Sequence, residues 1–279
     1  LLKSIIMAEN SKIEWTDHTV NLWWGCSKVH TGCKNCYAEY QSDKMKRGMK
    51  DGSKLWGVNS YRRKIKSAFS DLDKYQKQAE GEGKVSKIFC GSMMDIFEDS
   101  KPLVDINGNL LGQETEQLRQ ELFNRIENGM YDNLVFLFLT KRPENISKMI
   151  PVEWAHGVMN VFFGTSVSDA ETVKFADILR GTLHFQNLFL SIEPQVGPIN
   201  LGDINLKGID WVIQGGESGA GKRPFDIKWA YNMREICKTY GVPYFFKQID
   251  KVQSIPEDLM IRGFPELIAN YPATNGSLI

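Results

Sequence analysis

Seven short runs of apolar, β-branched and aromatic residues punctuate the chain. They are VNLWW at 20–24, VSKIFCG at 85–91, LVFLFLT at 134–140, VMNVFFGTS at 158–166, LFLSIEP at 188–194, WVIQGG at 211–216 and VPYFFKQ at 242–248. Each is close to continuously apolar rather than alternating, the pattern of a strand covered on both faces. Nearly every run ends in Gly, Ser, Thr, Glu or Lys, so polar residues collect at the carboxyl tips.

Helical spacing fills the intervals. The stretch 114–128, ETEQLRQELFNRIEN, sets Leu118, Leu122 and Ile126 on one face. Asp169 predicts a cap for a helix over 170–180, and Asp226 one for a helix over 227–239 that stops before Gly241. Strands and helices alternate at about the length of a βαβ unit. The expected fold is therefore α/β, a partial or imperfect TIM-like (β/α) barrel with about seven mostly parallel strands; an open doubly wound sheet is the alternative. The expected divisions are an N-terminal extension at 1–12, a barrel domain at 13–250 with a basic insertion at 41–84, and a C-terminal cap at 251–279. Met7 opens a more ordinary polar start, so residues 1–6 read as an upstream stretch.

Charge adds one local feature to this picture. Lys plus Arg and Asp plus Glu both number 34 in 279 residues, so net charge carries no nucleic-acid signal. Residues 41–90 nevertheless hold thirteen Lys or Arg against six acids. That excess fits either a solvated face or a patch that steers a phosphate-bearing substrate. No apolar stretch is long enough to span a bilayer and no secretory leader is legible, so the expected location is cytoplasmic, with no membrane partner.

Three of the five cysteines lie within eleven residues, Cys26, Cys33 and Cys36, in a C-x6-C-x2-C pattern just after the first apolar run. Two metal readings fit. Three thiolates suit three irons of a [4Fe-4S] cluster, leaving one iron open to a small molecule. With His30 between them, the same residues give four ligands for structural zinc. The loop opens a domain large enough to have its own core, which favours the cluster. Cys90 and Cys237 fall in a strand and a helix and are expected to be core thiols. Trp15, Trp23 and Trp24 flank the loop and are expected to shield it from solvent rather than recognise bases.

The strings SKIEWTDHTVNLWWGCSKVHTGCKNCYAE, FLTKRPENI, NVFFGTSVSD, FLSIEPQVGPI, IDWVIQGGESGAGKRP and GVPYFFKQ, in this order, resemble the phage Gp37/Gp68 family, a radical S-adenosylmethionine (SAM)-like group, over most of residues 10–250. The resemblance implies a [4Fe-4S] cluster on Cys26, Cys33 and Cys36 with SAM on the open iron. The first gap is longer than the common C-x3-C-x2-C spacing, and Asn35 stands where an aromatic residue usually precedes the third cysteine. Tyr37 could then stack on adenine.

The strand tips supply the other candidates for SAM. Gly91 and Ser92 could admit its methionine end, and Asp95 could accept from its ribose or ammonium, or else cap a tight turn. Thr140 and Lys141, with Arg142, end the third run. Thr165 and Ser166 end the fourth, suited to a ribose or to a turn cap. Glu193 ends the fifth, where a carboxylate needs a partner such as Lys141, Arg142, Lys247 or the ammonium of SAM. WVIQGGESGAGKRP fits neither the Rossmann nor the P-loop spacing; its Gly216 and Glu217 read as close backbone approach and a polar lip. The expected activity is reductive cleavage of SAM that starts radical chemistry, fed by a cellular electron donor, on an unidentified substrate for which a nucleotide or nucleic acid is favoured. No catalytic side chain is assigned. A zinc-stabilised barrel hydrolase and a non-catalytic nucleic-acid-binding module are the alternatives.

Overall fold

The computed structural model describes residues 11, 13–182, 187–219 and 221–269. Most of the expected extension at 1–12 and the end of the expected cap lie outside them. The chain separates into two compact units. One takes in the described residues up to Lys28 and Ala38–Phe138; the other takes in Val29–Tyr37 and the described residues from Leu139.

In the first unit the chain runs through β1 (His18–Val20), β2 (Trp23–Trp24), β3 (Arg62–Lys64), α1 (Ala68–Gly81), β4 (Ser86–Cys90), β5 (Pro102–Val104), β6 (Leu110–Glu114) and α2 (Thr115–Glu127), and into β7 (Leu134–Thr140). β4 pairs parallel with β1 and with β7, with Val20 beside Cys90 and Cys90 beside Phe138. A second, four-stranded sheet has the order β2–β3–β5–β6. α2 forms where expected: Leu118, Leu122 and Ile126 are buried, and Glu114 with Gln117 makes a capping box.

The second unit contains β8 (Val161–Ser166), α3 (Lys174–Thr182), β9 (Asn187–Ile192), β10 (Trp211–Gly215), α4 (Ile227–Tyr240) and β11 (Tyr244–Gln248). β9 pairs parallel with both β8 and β10, and β11 pairs parallel with β10. α4 begins on the Asp226 carboxylate, which accepts from Lys228 N, and ends at Gly241 in the left-handed region (φ 68°). Residues 261–263 return antiparallel to β11, with Phe246 N donating to Ile261 O (3.0 Å) and Gly263 N to Tyr244 O (2.9 Å). The last strand is thereby covered by the tail.

The large sheet has the order β1–β4–β7–β8–β9–β10–β11, which is chain order throughout. A doubly wound sheet reverses at a switch point, and this one does not. The first and last strands are not neighbours, so the sheet is open. The fold is an α/β partial barrel of the TIM type.

Two expected elements differ. The run 20–24 is not one strand. His18–Val20 enters the large sheet and Trp23–Trp24 pairs with β3 in the small one. The expected helix at 170–180 starts only at Lys174, because Asp169 caps a preceding turn, accepting from Thr172 N (3.1 Å).

Candidate functional site

In the first unit the exit from β1 is held by Asn21, which is fully buried. Its Nδ2 donates to Ser92 Oγ (2.9 Å) and its Oδ1 accepts from Met93 N (2.7 Å). Gly91 N donates to Val20 O (3.0 Å), so the turn after β4 is stitched to the end of β1. Asp95 is buried and accepts from Phe97 N (3.0 Å), capping its own turn. Gly91, Ser92 and Asp95 are thus gathered at the carboxyl ends of β1 and β4.

Cys26 follows β2 and is half-buried. It forms a β-bridge with Trp56, and its carbonyl accepts from Gly57 N (3.0 Å). Its neighbour Ser27 donates to Glu98 Oε1 (2.7 Å). Glu98 and Arg62 form a bidentate ion pair with both side chains almost wholly buried. Arg63 is also buried, lying over the Trp24 ring at 4.7 Å and donating to Gly48 O (2.6 Å). Two of the thirteen basic residues are therefore internal struts, whereas Lys44, Lys46, Lys50, Lys54 and Lys66 are exposed. Trp15, Trp23 and Trp24 are core residues, at most 2% exposed, so their rings are not open to stack on bases.

In the second unit, Val29–Tyr37 carries the other two clustered cysteines. Thr31–Cys33 is a single 3-10 turn capped by His30, whose Nδ1 accepts from Gly32 N (3.0 Å). A Cβ on Gly32 would stand 2.3 Å from Ser168 Oγ, so a larger residue there would have to displace that hydroxyl. Cys33 is buried and Cys36 half-buried. Tyr37, with 41% of its surface exposed, opens the next short helical turn.

Three residues tie this turn to the strand ends. Thr31 Oγ1 donates to Asp169 Oδ2 (2.7 Å), beyond β8. Asn35 Nδ2 donates to Glu217 Oε2 (3.0 Å) and Gly221 O (2.8 Å), beyond β10. Arg223 donates to both Glu217 oxygens (2.7 and 3.1 Å) and reaches Thr31 O (3.2 Å). Burial alone would raise the Glu217 pKa, but the hydrogen bonds from Arg223 and Asn35 outweigh it and hold the carboxyl below its ordinary range. Asp169 has the same balance: burial pushes up, and Thr31 and Thr172 pull further down.

The remaining tips in this unit pair with one another. Thr140 Oγ1 accepts from Arg142 N (2.9 Å), and Thr165 Oγ1 donates to Thr140 O (3.0 Å). Lys141 Nζ donates to Ser166 Oγ (3.1 Å). Glu193 takes Lys247 as its partner, not Lys141 or Arg142. Gly216 is required by close approach, since a Cβ there would sit 1.9 Å from Ile249 O.

Sequence reasoning missed Asn21, Asn35, Arg62, Glu98 and Asp169 as contributors to the site, whereas Arg223 lies in the glycine-rich polar lip with Glu217. Asn35 carried a local signal in its place beside Cys36. Cys26 belongs to the first unit, and Cys33 and Cys36 to the second. Among the described residues no three His, Cys, Asp or Glu side chains converge as a metal-holding group. In donor chemistry the three thiols suit an iron–sulfur cluster: none is in a disulfide, and soft sulfur is the ligand such clusters take. The other two cysteines are core residues, with burial pushing the Cys237 thiol up to about 12 and the Cys90 thiol higher still.

Fold and site together define an α/β partial-barrel protein with a cysteine-bearing turn fastened to the carboxyl ends of its strands. Residues 10–257 match the family described as "Protein of unknown function (DUF5131)", and the chain belongs to that family. No curated protein and no solved structure matches the chain.

Proposed function

We propose that this chain is a radical SAM enzyme of the kind its resemblance to the phage Gp37/Gp68 family implies, with Cys26, Cys33 and Cys36 holding a [4Fe-4S] cluster. The observation that carries the proposal is the fastening of Thr31 and Asn35, which neighbour Cys33 and Cys36 in the chain, to Asp169, Glu217 and Arg223 beyond the strand ends. In barrel enzymes the carboxyl ends of the strands are where chemistry is done. An extensive polar latch on a short turn suits a turn that must present ligands in one geometry. His30 supports the cluster over zinc, because its Nδ1 is engaged in capping the turn.

A cluster held by Cys26, Cys33 and Cys36 would supply one-electron reductive cleavage of SAM when both are bound. The chain's own residues do the positioning. Glu217, kept ionised by Arg223 and Asn35, holds the turn rather than a proton. Tyr37, Gly91, Ser92, Asp95, Thr140, Lys141, Ser166, Glu193, Gly216 and Glu217 are the proposed SAM contacts. Among them, the Lys141–Ser166 and Glu193–Lys247 pairs offer charge for its amino-acid end. The five exposed lysines between 44 and 66 support a phosphate-bearing substrate, a nucleotide or nucleic acid. A cellular electron donor and a cytoplasmic setting complete the proposal. Among the described residues no helix is long and apolar enough to cross a membrane.

The test is SAM turnover. Anaerobically reconstituted protein with a strong reductant should release methionine and 5′-deoxyadenosine. Cys33→Ser should lose about 100-fold or more of that release. A wild-type protein loaded with iron and sulfide that leaves SAM intact, with nucleotides or oligonucleotides present, contradicts the proposal.

A further inference from the structure

The guanidinium of Arg62 makes an unusual set of contacts. Its Nε and Nη2 donate to the two Glu98 oxygens (2.8 and 2.7 Å), and Nη2 also donates to Ser27 Oγ (3.0 Å) and Gly57 O (3.2 Å). Nη1 donates to Leu55 O (3.0 Å), Ser60 O (2.7 Å) and Tyr61 O (3.2 Å). Four backbone carbonyls between 55 and 61 therefore wrap one cation. Glu98 is fixed in turn, since Arg119 Nη1 donates to its carbonyl (3.2 Å).

All of this converges on three consecutive residues. A Cβ on Gly25, which has φ 118°, would stand 2.4 Å from Leu55 O and 2.8 Å from Arg62 Cδ. Cys26 is bridged to Trp56 and accepts from Gly57 N (3.0 Å). Ser27 Oγ lies between Glu98 and Arg62. The cation thus binds Ser27 Oγ directly and holds Leu55 O and Gly57 O in the segment that packs against Gly25 and bridges Cys26. Cys26 itself stays half-buried with Sγ 3.5 Å from Ser27 O. A buried ion pair is weak evidence for stability, because apolar residues of similar volume often serve as well or better. What it supplies is directional hydrogen bonding, which apolar packing lacks.

We infer that Arg62, Glu98 and Ser27 are positioning residues for the Cys26 thiol, so that part of the basic insertion is a scaffold for the candidate metal centre. The ligand role of Cys26 rests on the proposed radical SAM function. The positioning itself does not, and it is measurable on the metal-free protein.

The experiment is a timed iodoacetamide pulse on the full, anaerobic, metal-free chain, with alkylation at Cys26, Cys33 and Cys36 read by mass spectrometry. Ser27→Ala keeps the Arg62–Glu98 pair and removes only the tie to residue 27. Arg62→Lys keeps the charge and removes the fork. In Ser27→Ala the Cys26 rate should rise about threefold or more relative to Cys33 and Cys36. Arg62→Lys should raise it further. An unchanged ratio in Ser27→Ala overturns the inference. So does an equal rise at all three cysteines, which marks general loosening. In reconstituted protein, Ser27→Ala should also shift the electron paramagnetic resonance spectrum of the reduced cluster. Wild-type protein that takes up no iron or sulfide defeats the proposed function, and the alkylation ratios still decide the positioning.

Discussion

Glu217, a candidate chosen from the sequence, is also bound to a residue far from it in the chain, Asn35. It is 5% exposed and takes hydrogen bonds from Arg223 side chain and backbone and from Asn35. A carboxylate so held is worth more to the folded state ionised than protonated. Its pKa is lowered on folding, so its contribution is complete above the unfolded value, about 4.3 for Glu. The contribution is lost as pH falls through the folded value. Glu217→Gln should therefore cost about 1–3 kcal/mol at neutral pH, with Arg223 left short of its charge partner. The gap between wild type and variant should narrow as pH is lowered toward 3 in urea-unfolding series. A gap that stays constant over that range means that the carboxylate charge is not what holds the turn.

At the scale of elements, the two ends of β10 and α4 are set by opposite devices, one steric and one polar. Gly216 is dictated by the 1.9 Å approach that any Cβ would make to Ile249 O. Gly216→Ala should cost about 2–3 kcal/mol, because the obstruction is backbone and cannot rotate away. Asp226→Ala removes one cap bond at the start of α4 and should cost about 1 kcal/mol. Chemical denaturation of both variants checks the order; equal costs would mean that the loop after β10 yields to the added methyl. The elements that were legible in the sequence are those whose evidence is local. LVFLFLT became Leu134–Thr140, and the Asp226 and Gly241 signals bracketed Ile227–Tyr240. β3 was not legible, because Arg62–Arg63–Lys64 carries no apolar pattern. An arginine can be buried there only because Glu98 meets it from 36 residues away. β1 was misplaced for a related reason. His18 and Thr19 read as polar, yet His18 is buried in a stack on Tyr75 at 3.9 Å, and the adjacent tryptophans drew the strand toward themselves.

For the whole molecule, the seven-stranded sheet keeps chain order, in the fold class that the apolar runs predicted. The cysteine spacing was legible, and so was the polarity of the tips. Which tips act on the turn was not, because Asn35 and Glu217 are 182 positions apart and Thr31 and Asp169 are 138. No periodicity spans such distances. The short segment Val29–Tyr37 belongs to a different compact unit from the residues on either side of it. A mobile linker would not need the three side-chain ties that this segment makes to Asp169, Glu217 and Arg223. In the proposed function its task is to present two of three thiolates. The most direct measurement is iron, acid-labile sulfide and zinc per chain in protein purified and reconstituted without oxygen. About four irons and four sulfides, lost together when Cys26, Cys33 and Cys36 are replaced by serine, is the predicted result. One zinc per chain with no sulfide, in protein that resists reconstitution, would contradict the proposed cluster and leave a zinc-stabilised partial barrel.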